Sequence, residues 1–319
     1  MSPKVSIIVP MYNMEQYIER CAISLFEQTY KDIEYIFIDD HSQDKTLALL
    51  ETLIDQYGLN DKVVLIKKEI NQGQAVARWD GLMMARGIYV GMVDSDDYVT
   101  PEYIEALVME AEKSSADITF CDYWYDYGEH KRLCKVNPPV DLDLCQAKLM
   151  SGEIGNFFWN KLIKRELYLN NDIHPIEGVN MYDDKSVMFQ LAYFCKKISY
   201  VNQPLYYYNR INSNSISVQA KEKAIEPAIK VVRLIDDFFS RHQPADVVKL
   251  AIEYFKVGIL GMILFYGNKN TISQNRNLFR NISPKAISKQ PVVPFYYKMA
   301  VLAYRFRMTF LIDFVRHFI

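Results

Sequence analysis

The feature that most constrains this chain is the alternation of its first third. Short runs of β-branched and aliphatic residues, KVSIIVP at 4–10, EYIFID at 34–39, KVVLIKK at 62–68 and IYVGMV at 88–93, are each followed by a segment of helical character. In the first such segment Tyr17, Ile18, Cys21 and Leu25 fall on one helical face. Ser42 stands where it can cap the second helix, Gly87 ends the third, and Pro101 suits the first turn of the fourth. ADITFCDYW at 116–124 reads as a fifth strand. The runs have no polar alternation, so both faces of their sheet need cover, and helical crossovers between them make the strands mainly parallel. The fold class is therefore α/β, a mixed and mainly parallel sheet flanked by helices. In such sheets ligands gather beyond the carboxyl ends of the strands.

Four polar groups stand at those ends: Pro10-Met11-Tyr12-Asn13, Asp39-Asp40, Asn71-Gln72-Gly73 and Asp94-Ser95-Asp96-Asp97. They should converge on one edge and form a site. The last is the most demanding, because GIYVGMVDSDDYVTP at 87–101 holds three carboxylates and no Lys or Arg. Carboxylates so close repel, and at least one rises in pKa unless a positive charge joins them. Either the turn is solvated and caps the helix after Pro101, or a cation comes from outside the sequence. Mg²⁺ or Mn²⁺ suits a pair of hard oxygen ligands and takes its remaining ligands from water and phosphate. Such an ion would neutralise a departing diphosphate.

Other chemistries lack their residues. There is no G-x-x-x-x-G-K-[ST] loop, no G-x-G-x-x-G after a strand and no G-x-S-x-G elbow. His41, His130, His174, His242 and His317 are scattered, and so are Cys21, Cys121, Cys134, Cys145 and Cys195, an odd number with no C-x-x-C pair. That pattern points to a reducing, cytoplasmic setting rather than a disulfide framework or a zinc site.

After residue 125 the alternation becomes irregular. YDYGEHKRLCKVNPPVDLD reads as a loop or hairpin, followed by a helix near 142–151, an aromatic strand NFFWNKLI, and a helix opened by Asp183 and Asp184. PLYYYNRINSNSIS, whose Tyr206–Tyr208 triplet reads as a half-buried strand, closes a domain spanning 1–220. Within it a boundary falls near residue 122. Residues 221–319 read as a helical extension, broken at Pro244, at Gly267 to Asn270 and at Pro291 to Pro294. The net charge of −2 hides an asymmetry: from Lys269 onward nine Lys/Arg face one acid, Asp313. No run is long enough to span a membrane. The basic, apolar stretch 295–319 either lies on an anionic leaflet at the inner face of the membrane or packs on the protein, including a second copy in a homodimer. The acidic front half speaks against nucleic acid.

VSIIVPMYN, YIFIDDHSQDKT, NQGQAVARWDGL, GIYVGMVDSDDYVTPEYIEAL, FFWNKLIKREL, YDDKSVMF and PLYYYNRINSNSIS, in this order over residues 4–218, together resemble the inverting family 2 glycosyltransferases of the GT-A fold. The resemblance implies a nucleotide-diphosphate sugar donor, UDP-linked, a saccharide or lipid-linked saccharide acceptor in polysaccharide biosynthesis, and Mn²⁺ or Mg²⁺ as cofactor. It also implies that about 1–122 is the nucleotide-binding half and 123–220 the acceptor half. It places Pro10, Tyr12 and Asp39 around the base and ribose, with Asn13, Asp40, Asn71, Gly73 and Ser95 at the same strand ends. Arg78 and Asp94 would also meet the nucleoside half. Asp96 would be the main metal ligand of the D-x-D motif and Asp94 its first acid. Trp159, Asn160 and Lys161 would line the donor-sugar and acceptor cleft, and Arg210 and Ser215 would fold over the diphosphate. Asp184 would be the catalytic base, with Asp183 beside it where the family usually has Glu. His41 stands where Gly is usual and Trp79 where Asn is usual. A catalytically silent nucleotide-sugar or partner-binding module would keep the same fold. A phospho-accepting receiver fits poorly, because it needs acids at the end of strand one, where this chain has Pro10 and Tyr12.

Overall fold

The structure is a computed structural model, and it describes residues 3–176, 178–212 and 221–308. The chain divides into two compact units. One holds Met1–Leu142, Phe157–Asn180 and Gln190–Ser213; the other holds Asp143–Asn156, Met181–Phe189 and Asn214–Ile319.

In the first unit the alternating runs become β1 (Val5–Met11), α1 (Ile18–Phe26), β2 (Ile33–Asp39), α2 (Thr46–Tyr57), β3 (Val63–Lys67), α3 (Gln74–Met84) and β4 (Tyr89–Met92). β1 and β2 are buried along their whole length, as mainly apolar runs require, and the buried Ser6 hydroxyl donates to the Glu34 carboxylate between them at 2.6 Å. β3, β2, β1 and β4 pair in parallel, with Met11 opposite Asp39 and Ile8 opposite Met92, so their carboxyl ends finish on one edge. α1 buries Ile18, Cys21, Ala22, Leu25 and Phe26, one stripe of helical spacing. Phe26 meets Tyr35 and Phe37 edge-on, with ring centroids 5.5 and 6.1 Å apart.

Three local expectations are corrected. Ser42 does not cap α2. The Asp44 carboxylate accepts from the Thr46 N–H at the helix start, while the Ser42 hydroxyl accepts from the Asn13 N–H. Gly87 does not end α3, which stops at Met84 with Ala85 extended. Its place is steric, since a Cβ there would lie 2.6 Å from the Ser6 nitrogen in β1. The aromatic run NFFWNKLI forms a strand only at its end, β8 (Lys161–Lys164).

The rest of the sheet comprises β5 (Tyr98–Val99), β6 (Ile118–Asp126), β7 (Lys131–Cys134), β8 and β9 (Ile198–Asn209), with α4 (Tyr103–Ser114) between β5 and β6. β8 runs antiparallel between β4 and β6, so the expected fifth strand is not β4's neighbour. β6 pairs with β9 in parallel and forms the anticipated hairpin with β7. Among the described residues the sheet has nine strands, parallel in one half and mixed in the other. A short helix, α6 (Arg165–Leu169), follows β8.

The second unit is mainly helical. It takes α5 (Leu142–Ser151) from Asp143 onward, the start of α7 (Asp183–Phe194), and α8 (Ile225–Arg241), α9 (Asp246–Tyr266), α10 (Lys269–Gln274), α11 (Pro284–Lys289) and α12 (Phe295–Arg305). Gly261 of α9 lets α12 approach closely, because a Cβ there would lie 2.6 Å from the Tyr297 ring. No helix of the described residues is long and apolar enough to cross a membrane.

Candidate active site

The acid turn between β4 and β5 is only partly solvated, with Asp94 and Asp96 half-buried. Asp97 is fully buried: its carboxylate accepts from the Tyr206 hydroxyl at 2.6 Å and from the Asn209 N–H at 2.7 Å. The Tyr206 hydroxyl in turn accepts from the Asp94 N–H at 3.1 Å. Asp97 thus clamps β9 to the turn, leaving Asp94 and Asp96 as its outward acids. Nor is the cation wholly external. Arg78 on α3 reaches Asp94 at 2.6 Å, buried and over the Phe158 ring at 5.5 Å, and Arg20 donates to the Asp96 carbonyl at 3.2 Å. The turn meets protein cations that lie outside its own stretch of sequence.

Asp96 keeps less compensation. The Asn212 amide donates to its Oδ2 at 2.7 Å, and Asn209 donates to its carbonyl at 3.0 Å. Burial, and then the Asp94 charge, push its carboxyl up to about 6. Asp97 is raised as well, by burial first and then by Asp96 and Asp94. The turn therefore carries negative charge that the described residues leave partly uncompensated.

The neighbouring strand ends converge as the topology requires. Asp39 and Asp40 are both buried. Asp39 accepts from the Ser42 N–H at 3.2 Å. Asp40 accepts from the N–H groups of Gln72 and Gly73 at 2.9 and 2.6 Å, with Lys68 Nζ 3.6 Å away, so it anchors the 71–73 loop. Gly73 has φ 90°, and a Cβ there would collide with the Asn180 side chain at 2.1 Å. Asn13 and His41 have φ 54° and 72°. The left-handed backbone at 41 explains why glycine suits that position. Tyr12 is 41% exposed, two residues after buried Pro10, while Asn71 is exposed and Ser95 buried.

Trp159, Asn160 and Lys161 are interior side chains, 3%, 1% and 0% exposed. Trp159 stacks on Tyr206 at 4.4 Å, Asn160 donates to the Cys121 carbonyl, and Lys161 donates to Asn160 and to the Phe157 carbonyl. Any effect they have on a ligand passes through neighbours. Arg210 is exposed with its guanidinium 5.4 Å over the Tyr208 ring. Ser215 lies outside the described residues. Tyr206, Asn209, Asn212 and Arg20 were missed from the sequence. Each acts across a separation of more than 70 residues, which no local pattern announces.

In the helical unit, Asp183 is 4% exposed and Asp184 half-buried at the start of α7. Tyr182 just before them has φ 67°, an uncommon conformation for a bulky residue. Lys185 is buried, donates to the Leu149 and Met150 carbonyls at the end of α5, and is pushed down to about 7 by burial.

Among the described residues no group of three His, Cys, Asp or Glu side chains is placed to hold a metal ion. The D-x-D pair still suits a divalent cation. Two hard carboxylates one residue apart offer the oxygen ligands that such an ion takes while drawing its others from water and phosphate, although Asp94 also meets Arg78 at 2.6 Å.

A putative glycosyltransferase, EpsH of Bacillus subtilis (strain 168), is 27% identical over 325 residues, covering 94% of this chain and 90% of the relative. Staphylococcus aureus TarS 1–349 in complex with UDP-GlcNAc shares the fold at 20% identity and TM-score 0.65, covering 95% of this chain and 91% of that one. The mannosyltransferase PcManGT of Pyrobaculum calidifontis, in complex with GDP-Man and Mn²⁺, does so at 16% identity and TM-score 0.57, covering 95% and 87%. The family model for glycosyl transferase family 2 matches residues 6–170, just over half of the chain, and the protein belongs to that family.

Proposed function

We propose that the protein is a metal-dependent, inverting transferase that moves a sugar from a UDP-sugar to a hydroxyl of a saccharide or lipid-linked saccharide during polysaccharide biosynthesis. The observation that carries this reading is the Asp94–Ser95–Asp96 turn, where two half-buried carboxylates lie one residue apart, Asp94 meeting Arg78 and Asp96 meeting the neutral Asn212 amide. Asp96 and Asp94 would hold Mn²⁺ or Mg²⁺, which when bound offsets the negative charge of a diphosphate leaving group. TarS has been captured with UDP-GlcNAc and the mannosyltransferase with GDP-Man and Mn²⁺, so the fold accepts more than one base. The choice of uridine rests on the resemblance that sets Asp39 against a uracil N–H.

Asp184 serves as general base, as the resemblance implies, and its partial exposure beside buried Asp183 supports it over its neighbour. The acceptor hydroxyl gives its proton to the Asp184 carboxylate while its oxygen bonds to the anomeric carbon. The bond from that carbon to the diphosphate oxygen breaks, and its electron pair leaves with the diphosphate. A single displacement from the opposite face inverts the configuration. Base catalysis of this kind contributes about 10²–10⁴-fold. Asp184→Asn should abolish transfer with UDP affinity nearly intact, and Asp183→Asn should retain most turnover. Transfer at the wild-type rate by Asp184→Asn would refute the mechanism, whereas UDP binding without any transfer by the wild type would favour the alternative, a silent nucleotide-sugar-binding module.

A lipid-linked acceptor is consistent with α12. One face, with Tyr297, Ala300, Val301 and Ala303, is buried, whereas Phe295, Met299 and Phe306 are exposed beside Arg305 and Arg307. An amphipathic edge of this kind suits an anionic leaflet.

A further inference from the structure

Lys68 is a buried cation that the donor chemistry does not use. It stands one residue beyond β3, an edge strand, and its backbone N–H donates to the Asp39 carbonyl at 2.9 Å. A long side chain at such a position can keep its charge in water, as that of Lys67 does at 52% exposure. The Lys68 side chain turns inward instead and is 7% exposed. Its ammonium lies between two carboxylates, Asp80 of α3 at 2.8 Å and Asp40 beyond the end of β2 at 3.6 Å. Burying an ammonium is unfavourable unless its partners are well placed, so the arrangement asks for a reason.

The two carboxylates lead to different places. Asp80 belongs to the second turn of α3, so its bond braces the helix against the sheet. Arg78, two residues earlier, leaves α3 about 200° away and meets Asp94 at 2.6 Å. Asp40 leads to the turn that opens the helix. One of its oxygens accepts from the Gln72 N–H at 2.9 Å, the other from the Gly73 N–H at 2.6 Å. That turn has little latitude, because Gly73 has φ 90° and the Asn180 side chain fills the space a Cβ would take. A brace of helix on sheet needs Asp80 alone. It does not account for a second carboxylate that meets the same ammonium and commits both oxygens to backbone N–H groups at a strand end.

We propose that Lys68 is a positioning residue for the nucleoside half of the donor site. Its ammonium orients Asp40, and Asp40 in turn fixes the Gln72–Gly73 turn beside the end of β2. The assignment rests on the reading that places UDP at these strand ends.

The test is calorimetry of UDP with Mn²⁺ on the full chain, beside urea unfolding followed by tryptophan fluorescence. Lys68→Met should weaken UDP about tenfold, and Lys68→Arg should recover part of the loss. Asp80→Asn, which removes the nearer anchor of the ammonium, should weaken UDP about threefold. Because Lys68 acts through Asp40, Lys68→Met should add less than about twofold in an Asp40→Asn background. Gly87→Ala crowds the start of β1, at the other end of the strand, and controls for destabilisation alone. It should lower the urea midpoint and leave UDP affinity unchanged. Wild-type affinity in Lys68→Met, an additive loss with Asp40→Asn, or an equal loss in Gly87→Ala would refute the assignment. Should Lys68→Met fail to fold, unchanged UDP affinity in Asp80→Asn would overturn it. Absence of UDP binding in the wild type would instead bring down the donor-site reading beneath it.

Discussion

Replacing Asp96 with Asn should make the metal-free protein more stable while removing its ion site. The Asp96 carboxyl rises from an ordinary 3.8 to about 6, through burial and then the Asp94 charge. Two units correspond to about 3 kcal/mol, at roughly 1.4 kcal/mol each. The sign follows from proton uptake. Between about pH 4 and pH 6 the folded chain holds a proton that the unfolded chain has released, so stability falls as pH rises through that window. Above pH 6 the whole cost is present. An Asn at 96 carries no charge and can still accept from the Asn212 amide, and the Arg20 bond to the backbone carbonyl survives. A gain of about 1–3 kcal/mol at pH 8 is expected, the lower end allowing for imperfect replacement. Asp97 is raised in the same direction, so the variant's pH slope should shrink without vanishing. Trp79, Trp124 and Trp159 all belong to the first unit, which makes tryptophan fluorescence in urea a direct report on it. With EDTA, wild type should lose stability between pH 4.5 and 6.5, and Asp96→Asn should lose less. With Mn²⁺ only wild type should gain. A variant less stable than wild type at pH 8 in EDTA, or a wild type whose stability climbs through that window, would overturn the reasoning.

Two backbone sites give further checks by the same denaturation assay. Gly87→Ala sets a Cβ 2.6 Å from the Ser6 nitrogen and 2.8 Å from the Val5 carbonyl carbon, both backbone atoms of a central strand. It should cost about 2–3 kcal/mol, and a neutral result would mean that β1 can yield there. His41 has φ 72°, so His41→Val should lose about 1–2 kcal/mol while His41→Gly loses none. Equal stabilities for the two would remove the conformational reason for glycine at that position.

The parallel half of the sheet was legible because its physics is local. A strand buried on both faces must be mainly apolar, as β1 and β2 are apart from the mutually hydrogen-bonded Ser6 and Glu34 and the strand-end Asp39, and a crossover helix must show a stripe, as α1 does. The strand-end acids could be read for the same reason, since they fall where the apolar runs stop. What could not be read was pairing at long range. Nothing near residues 161–164 says that this strand slides between β4 and β6, and nothing in the acid turn names Arg78 or Tyr206 as its partners. The tyrosine triplet reads as an ordinary strand until the fold sets Tyr206 between Asp94 and Asp97. Ser42 was misread because two loops compete for the same hydroxyl. The Asn13 N–H has it, and Asp44 takes over at the helix start.

A divalent ion linking the Asp94–Asp96 turn to a pyrophosphate is the claim on which the enzymology stands. Calorimetric titration of UDP into the full chain, with Mn²⁺ and then with EDTA, addresses it directly. The account expects saturable heat with Mn²⁺, at least about tenfold weaker binding in EDTA, and the same loss in Asp96→Asn. UDP binding indifferent to both EDTA and Asp96→Asn, or no binding at all, would contradict it.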